Sequence, residues 1–299
     1  MYAILCSILA MKQDIKLGFI GQGWIGKNYA DYFERNGFAI VRYSNELSYK
    51  ANKDAIKDCD IVFIAVPTPT TPQGFDDSIV REVLGVVGME KIAVIKSTII
   101  PGTTEKLQKA YPDIFILNSP EFLSEKNVIY DIEHPDSNVI GMPIESDVYK
   151  EKAELVVSVL PKAPNIICSS VEAELMKYAH NVHGFVEILY ANLLYDLGMK
   201  LGVNWDNMKE FINHDRFMVG RYASPIHASG HTDKAGRGAG GHCFIKDFKA
   251  FREVYEREVN DPKGLAILKS LEEKNIELLT ASEKDLDLLT EVYGEQNKK

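Results

Sequence analysis

Between Lys16 and Gly141, short runs of β-branched and aromatic residues alternate with longer stretches of mixed polarity. KLGFIG reads as a buried strand, and GWIGKNYADYFERNG follows as a helix ending at Gly37. FAIVRY is a second strand and DIVFIAVP a third, with further apolar runs at KIAVIKST, DIFILNS and SNVIGM. Apolar strands separated by helical segments predict parallel βαβ units in a doubly wound sheet. After residue 146 the pattern changes. VEAELMKYAHNVHGFVEILYANLLYDLGMKLG, from Val171, has no internal proline and predicts one long helix. Its apolar positions Leu175, Ala179, Val182, Val186, Leu189 and Leu193 step alternately by four and three, which predicts one buried stripe. At roughly 1.5 Å per residue such a helix is about 45 Å long, more than a small domain needs. It is therefore expected to link two domains or to form a dimer seam, with a plain core helix as the alternative. The expected fold is α/β: a Rossmann-like doubly wound parallel sheet over residues 11–168, then a smaller all-α domain built on the long central helix over 169–299.

Composition removes several function classes. A hydrophobic share of 45% and a charged share of 26% over 299 residues are those of a globular protein. The formal net charge of -9 offers no electrostatic footprint for nucleic acid or an anionic membrane. Cys6, Cys59, Cys168 and Cys243 are widely spaced without a CxxC pair. That spacing argues against a zinc ribbon or a disulfide scaffold and suits a reducing cytoplasm. The opening MYAILCSILA is apolar, too short to span a bilayer and without a positive n-region. It reads as an extension ahead of a domain that begins near Met11.

Chemistry is concentrated at strand ends and in one late loop. GQGWIG places Gly21, Gly23 and Gly26, with Trp24 and Ile25, between a strand and a helix. Glycines there permit a tight turn and the close approach of a dinucleotide pyrophosphate to a helix N-terminus. A ribose-binding acid is expected about twenty residues further on. That position is Ser44, with Arg42 two residues earlier. NAD is the expected cofactor, and the arginine keeps NADP open, although it equally reads as a solvated strand-end charge. Val66, Pro67 and Thr68 in VPTPT end the third strand, and KSTIIPGT exposes the Thr98 hydroxyl at the end of another. In NSPEFLSE, Glu121 and Glu125 lie four apart, so a helical turn would align both carboxylates. Lys177 and Asn181, also four apart, would share one helix face and could stabilise an oxyanion; spacing alone fits two solvated residues equally well.

GRGAGGHCFIKD ends in a thiol, Cys243, beside Lys246 and Asp247. A thiolate is a strong nucleophile, and a flexible, polar, glycine-rich setting favours a reactive cysteine over a buried structural one. His227, His231, His242 and Cys243 also admit a metal reading. The segment between them is glycine-rich rather than helical, so no metal is expected.

Taken together, GQGWIG, VPTPT, KSTIIPGT, NSPEFLSE, AELMKYAHN, HDRFMVGRY and GAGGHCFIKD resemble, in order, the motifs of the UDP-glucose/GDP-mannose dehydrogenase family over roughly residues 14–280. The resemblance implies an NAD-binding Rossmann domain and a helical central domain that forms a homodimer. It implies oxidation of a nucleotide sugar's primary alcohol to a carboxylate in two two-electron steps, through a thiohemiacetal and a thioester on Cys243. By motif match, Lys177 and Asn181 would stabilise the oxyanion, while Thr98, Glu121 and Asp247 would position water and shuttle protons. Phe122, Leu123, Glu125, Arg216 and Gly240 would meet the sugar nucleotide. There are departures. The chain stops soon after the central domain, where the family carries a third, C-terminal domain. The segment between the second and third strands is short, Ser137 stands where arginine is usual, and Leu193 where an acid is common. Two alternatives are therefore carried: a catalytically reduced dinucleotide-binding or partner subunit, and a two-electron hydroxyacid-type dehydrogenase that would need no cysteine.

Overall fold

The computed structural model describes residues 15–124, 126–218 and 220–295. The expected N-terminal extension, the domain start at Met11 and Glu125 lie outside the described residues. The chain divides into two compact units, one running to Thr68 and including Asp77–Lys177, the other made of Pro69–Asp76 and Tyr178–Lys299.

The first unit is built on seven strands: β1 (Lys16–Ile20), β2 (Ala39–Tyr43), β3 (Ile61–Ile64), β6 (Ile92–Ile95), β7 (Phe115–Asn118), β8 (Asn138–Met142) and β9 (Asn165–Ser169). The hairpin strands β4 (Thr70–Thr71) and β5 (Gly74–Phe75) belong to the second unit. The sheet order is β2-β1-β3-β6-β7-β8-β9. Every residue of β3 and β6 is buried, which is why their sequences are unbroken apolar runs. Helix α1 (Trp24–Arg35) packs Phe33 against Phe19 and Phe63, with ring centroids 5.5 Å apart in both pairs. The short helix α2 (Leu47–Lys50) and a 3-10 turn occupy the brief path from β2 to β3. Strand order reverses at β1, so a crevice opens beyond the carboxyl ends of β1 and β3, where ligands bind in doubly wound sheets.

Two strands depart from the expected all-parallel sheet. Pairing is parallel from β2 through β7, but β8 runs antiparallel to β7, and β9 is parallel to β8. The helices α3 (Ser78–Leu84) and α4 (Thr103–Ala110) return the chain after β3 and β6. Between β7 and β8 there is only the six-residue α5 (Val128–Glu133). That is about 9 Å of helix against a strand of roughly 16 Å, so this helix does not form the usual crossover, and β8 re-enters from the edge that β7 left. Sequence reading also passed over α6 (Asp147–Val159) and β9, which continue this layer after residue 146.

The predicted long helix is α7 (Ser170–Leu201), and the division between units falls within it. The predicted buried stripe is wrong in part. Leu175 and Leu193 are 48% and 49% exposed and Ala179 is exposed, while Val182 and Val186 are half-buried and only Leu189 is sealed. The buried face instead carries Glu174, Lys177, Tyr178, Asn181, Phe185, Ile188 and Asn192. Polar groups tolerate burial when each finds hydrogen-bond partners, so hydrophobic periodicity pointed away from the true inner face. Glu174 shows how: its carboxylate accepts from Gly102 N, Thr104 N and Thr104 Oγ1, capping the start of α4.

In the second unit, α7 is followed by α8 (Trp205–His214), α9 (Gly241–Glu258), α10 (Pro262–Ala281) and α11 (Leu286–Tyr293). Asp261 starts α10 by accepting from Lys263 N and Gly264 N, with Pro262 supplying a first helical residue that needs no N–H partner. The core joins Phe185, Ile188, Leu189, Ala239, Phe248 and Leu278, with the Phe185 and Phe248 rings stacked at 3.8 Å. Lys249 ties in the hairpin by donating to Thr71 O at 2.8 Å.

Candidate active site

At the switch point of the first unit, the glycine turn fits a dinucleotide. Gly21 has a φ of +89°, and a Cβ there would lie 2.2 Å from Ala65 O. A Cβ on Gly26 would lie 2.0 Å from Gly21 O, whereas one on Gly23 would meet nothing within 4 Å. The space above Gly23 is open, and Gly23 caps α1 without any side-chain hydrogen bond, so the N–H groups of that helix face the site a pyrophosphate would take. Trp24 is exposed there, and Ile25 packs on the core. Arg42 is committed elsewhere. It pairs with Asp31 at 2.7 Å and Glu34 at 2.7 Å, two carboxylates that would repel the 2′-phosphate of NADP. Ser44, half-buried just beyond β2, accepts from Glu46 N.

The two neighbouring strand ends are stapled to each other. Val66 N donates to Ser97 Oγ at 3.0 Å, Ser97 Oγ donates to Val66 O at 2.7 Å, and Thr68 Oγ1 donates to Thr98 O at 2.7 Å. Pro67 is exposed, Thr68 buried and Thr98 half-buried. Beyond β7, Glu121 lies in an irregular segment rather than in a helical turn, because its own carboxylate accepts from Leu123 N at 2.8 Å. The expected alignment with Glu125 is therefore absent at Glu121, and Glu125 is outside the described residues.

Glu121 is part of a buried charge cluster. Lys177 Nζ donates to Glu121 Oε1 at 2.9 Å and to Glu121 O at 2.6 Å, with both side chains close to 5% exposed. The Phe122 ring lies 5.6 Å from the same ammonium. Burial by itself would raise the Glu121 carboxyl, but the Lys177 ammonium outweighs it and holds the group below the usual carboxylate range. Lys96, at the end of β6, is also buried; it donates to Ser119 O at 2.9 Å and to Ser119 Oγ at 3.1 Å, and sits 4.7 Å over the Tyr29 ring. Burial pulls the Lys96 ammonium down to about 8, with Glu121 opposing. Sequence reading missed Lys96 and Ser97, although a lysine closing the apolar run KIAVIK was a signal.

The second unit holds the thiol. Cys243 is exposed, in the first turn of α9 rather than in a loop. Asp247 is one turn further along the same face, 1% exposed, accepting from Asn181 Nδ2 at 2.6 Å and paired with Lys246 at 2.5 Å. Asn181 is thus buried and oriented, as Lys177 is by Glu121; neither is a solvated residue. Arg216 is exposed in the bend after α8.

The loop before Cys243 is not the flexible one expected. Gly236 exchanges both backbone bonds with His227, and Ala239 exchanges both with the Asn275 side chain. Arg237 N donates to Ser282 Oγ, Lys284 Nζ to Gly238 O, and Gly241 N to Asp285 Oδ2. A Cβ on Gly240 would lie 2.1 Å from Asp285 Oδ2, so the glycine admits a protein carboxylate. Asn275, Lys284 and Asp285 carried no sequence signal, since their partners lie some forty residues away in the chain. His227 and His231 are engaged with Ser224 and Asp287, and no metal-holding cluster exists among the described residues.

A doubly wound sheet with an open glycine turn at its switch point defines a dinucleotide-binding protein. Residues 40–157 match the NAD binding domain of the UDP-glucose/GDP-mannose dehydrogenase family, and residues 171–276 match that family's central domain. The chain belongs to this family, and its cofactor is NAD. A UDP-glucose 6-dehydrogenase of Rickettsia prowazekii (strain Madrid E) is 30% identical over 245 residues, 78% of this chain and 51% of that protein. The structure of a UDP-glucose dehydrogenase from the hyperthermophilic archaeon Pyrobaculum islandicum is similar with a TM-score of 0.73 at 26% identity, covering 89% of this chain and 69% of that one. A 3-hydroxyisobutyrate dehydrogenase of Mycobacterium tuberculosis shares the fold, with a TM-score of 0.66 at 13% identity over 93% of this chain and 98% of its own. The chain spans about half the length of several curated relatives it matches. No helix among the described residues is long and apolar enough to cross a membrane.

Proposed function

We propose that this protein oxidises the primary alcohol of a nucleotide sugar, UDP-glucose foremost, to the uronic acid through covalent intermediates on Cys243. The observation that carries the reading is an exposed thiol in the first turn of α9, with the buried Asp247–Asn181 pair one turn along. Bound NAD supplies the oxidant, two equivalents per acid formed. The residues of the chain do the rest. Gly21, Gly23 and Gly26 leave room for the dinucleotide, and the bare N-terminus of α1 offers it N–H donors. Cys243 sulfur adds to the aldehyde carbon while the thiol proton goes to the oxygen, giving a thiohemiacetal; loss of a hydride from that carbon and of the hydroxyl proton gives a thioester. Water then adds to the thioester carbon, the C–S bond breaks, and the acid and the thiol are released. Lys177 and Asn181, each oriented by a carboxylate, stabilise charge on the substrate oxygen, and Glu121 with Thr98 orients the water.

Support for a homodimer comes from α7. Tyr190, Leu193, Leu197 and Leu201 are 51%, 49%, 55% and 70% exposed and recur at helical spacing, an apolar face suited to a second copy of the chain. The exposed thiol suits a reducing compartment, and we take the cytoplasm as the site of action.

The test incubates purified protein with UDP-glucose, GDP-mannose and related sugars and NAD, counting reduced cofactor against acid. Two NADH per acid are expected, and none of the acid with Cys243→Ala; acid formed by that variant at the wild-type rate refutes the mechanism. A second reading rests on the open glycine turn, which suits NAD binding whether or not chemistry follows: a dinucleotide-binding partner subunit. NAD binding by calorimetry with no reduction on any sugar nucleotide would select it.

A further inference from the structure

The turn that delivers Cys243 is held by residues that lie beyond the family match, which ends at residue 276. Asp285 is 4% exposed and adopts a left-handed backbone with φ of 52°, a conformation costly for a residue other than glycine. Its two carboxylate oxygens are both used: Oδ2 accepts from Gly241 N at 2.8 Å and Oδ1 from Ser229 Oγ at 3.0 Å. Gly241 is the first residue of α9 and is itself left-handed, with φ of +79°, so the chain bends into the helix two residues before the thiol. The neighbouring Lys284, fully buried, holds Gly238 O at 2.9 Å.

Asp287 reaches the same turn by a second route. Its Oδ2 lies 2.7 Å from His231 Nε2, and His231 Nδ1 lies 3.0 Å from His242 Nε2. A carboxylate accepts only, so His231 donates from Nε2 to Asp287, and its other ring nitrogen shares one hydrogen bond with His242. Two carboxylates at the start of α11 therefore fix the backbone of Gly241 and the ring of His242, the two residues directly before Cys243.

We propose that Asp285 and Asp287 are positioning residues for Cys243, a role that rests on the reading of Cys243 as the reacting thiol. The strain stored at Asp285 is sustained by the bonds it makes to the catalytic turn, as expected where a conformation serves a site. Without Asp285 the Gly241 N–H loses its acceptor and the first turn of α9 frays.

The test compares Asp285→Ala, Asp285→Asn and Asp287→Ala with Glu291→Ala, a control on the exposed side of α11. Hydrogen exchange of the amides at 241–244 is measured together with kcat and KM for UDP-glucose. Asp285→Ala should speed that exchange and lower kcat by about tenfold each, with KM within about twofold, because ground-state binding is untouched. Asp285→Asn, whose amide oxygen still accepts from Gly241 N, should recover to within about threefold of wild type. Wild-type exchange and kcat in a folded Asp285→Ala protein overturn the proposal, as does a loss of kcat that Asp285→Asn fails to rescue. Should Asp285→Ala not fold, Asp287→Ala decides, since its side chain is 63% exposed and its removal spares the core; unchanged exchange at 241–244 then refutes the idea. If wild-type protein oxidises no nucleotide sugar, the functional reading falls, and the exchange measurements still decide whether α11 holds the turn.

Discussion

At the scale of single residues, the buried pair Lys177–Glu121 makes the sharpest demand. Removing the ammonium strands an ionised carboxylate that is 6% exposed. Lys177→Ala should therefore destabilise the protein by about 3–5 kcal/mol in denaturant unfolding, and Lys177→Ala with Glu121→Gln by clearly less. A double-variant loss equal to the sum of the Lys177→Ala and Glu121→Gln losses would show that the pair is not coupled. Arg42 gives a second expectation. Arg42 is held by Asp31 and Glu34 and so is not available to a 2′-phosphate, and NADP should bind about tenfold or more weakly than NAD. Neutralising both acids should narrow that gap in a fluorescence titration. The shared helix of Lys177 and Asn181 was legible because helical spacing is a local property. Lys96 was legible only as an oddity: a strand-end lysine says nothing of Ser119, its partner 23 residues on.

At the scale of elements, the loop 236–241 behaves as a fitted part. Gly240→Ala would drive a Cβ to 2.1 Å from Asp285 Oδ2, so it should destabilise the second unit and lower kcat together. Wild-type melting temperature and turnover in the Gly240→Ala variant would disprove the fit. The same loop carries a pH dependence. His227 donates from Nδ1 to Ser224 O, leaving Nε2 to accept from Lys284 Nζ at 3.2 Å. Burial, then the Lys284 charge, pulls the His227 imidazole down to about 4. The folded pKa thus lies below the unfolded value of 6.5, and the unfolded chain takes up more protons between the two. Stability should be complete above about pH 6.5 and fall by up to about 3 kcal/mol as pH drops through 4. His227→Gln should flatten that part of a melting-temperature profile.

At the scale of the whole molecule, the proposed homodimer rests on α7. Its exposed face of Tyr190, Leu193, Leu197 and Leu201 should associate with a second copy. Leu193→Lys with Leu197→Glu should shift sedimentation from dimer to monomer while leaving the fold intact by circular dichroism. A wild-type chain that sediments as a monomer at high concentration would remove the dimer from the reading.

The alternation of strands and helices as far as β8, the glycine turn and the extent of α7 were determined by the sequence, because periodicity and turn chemistry act over a few neighbouring residues. Only the tertiary structure decided which face of α7 is inside, since its buried Asn181 and Asn192 depend on partners at Asp247 and Arg237. It alone reversed β8 and β9, and it alone turned a glycine-rich stretch into a clamped one, because Asn275, Lys284 and Asp285 meet that stretch only after the chain has folded back on itself.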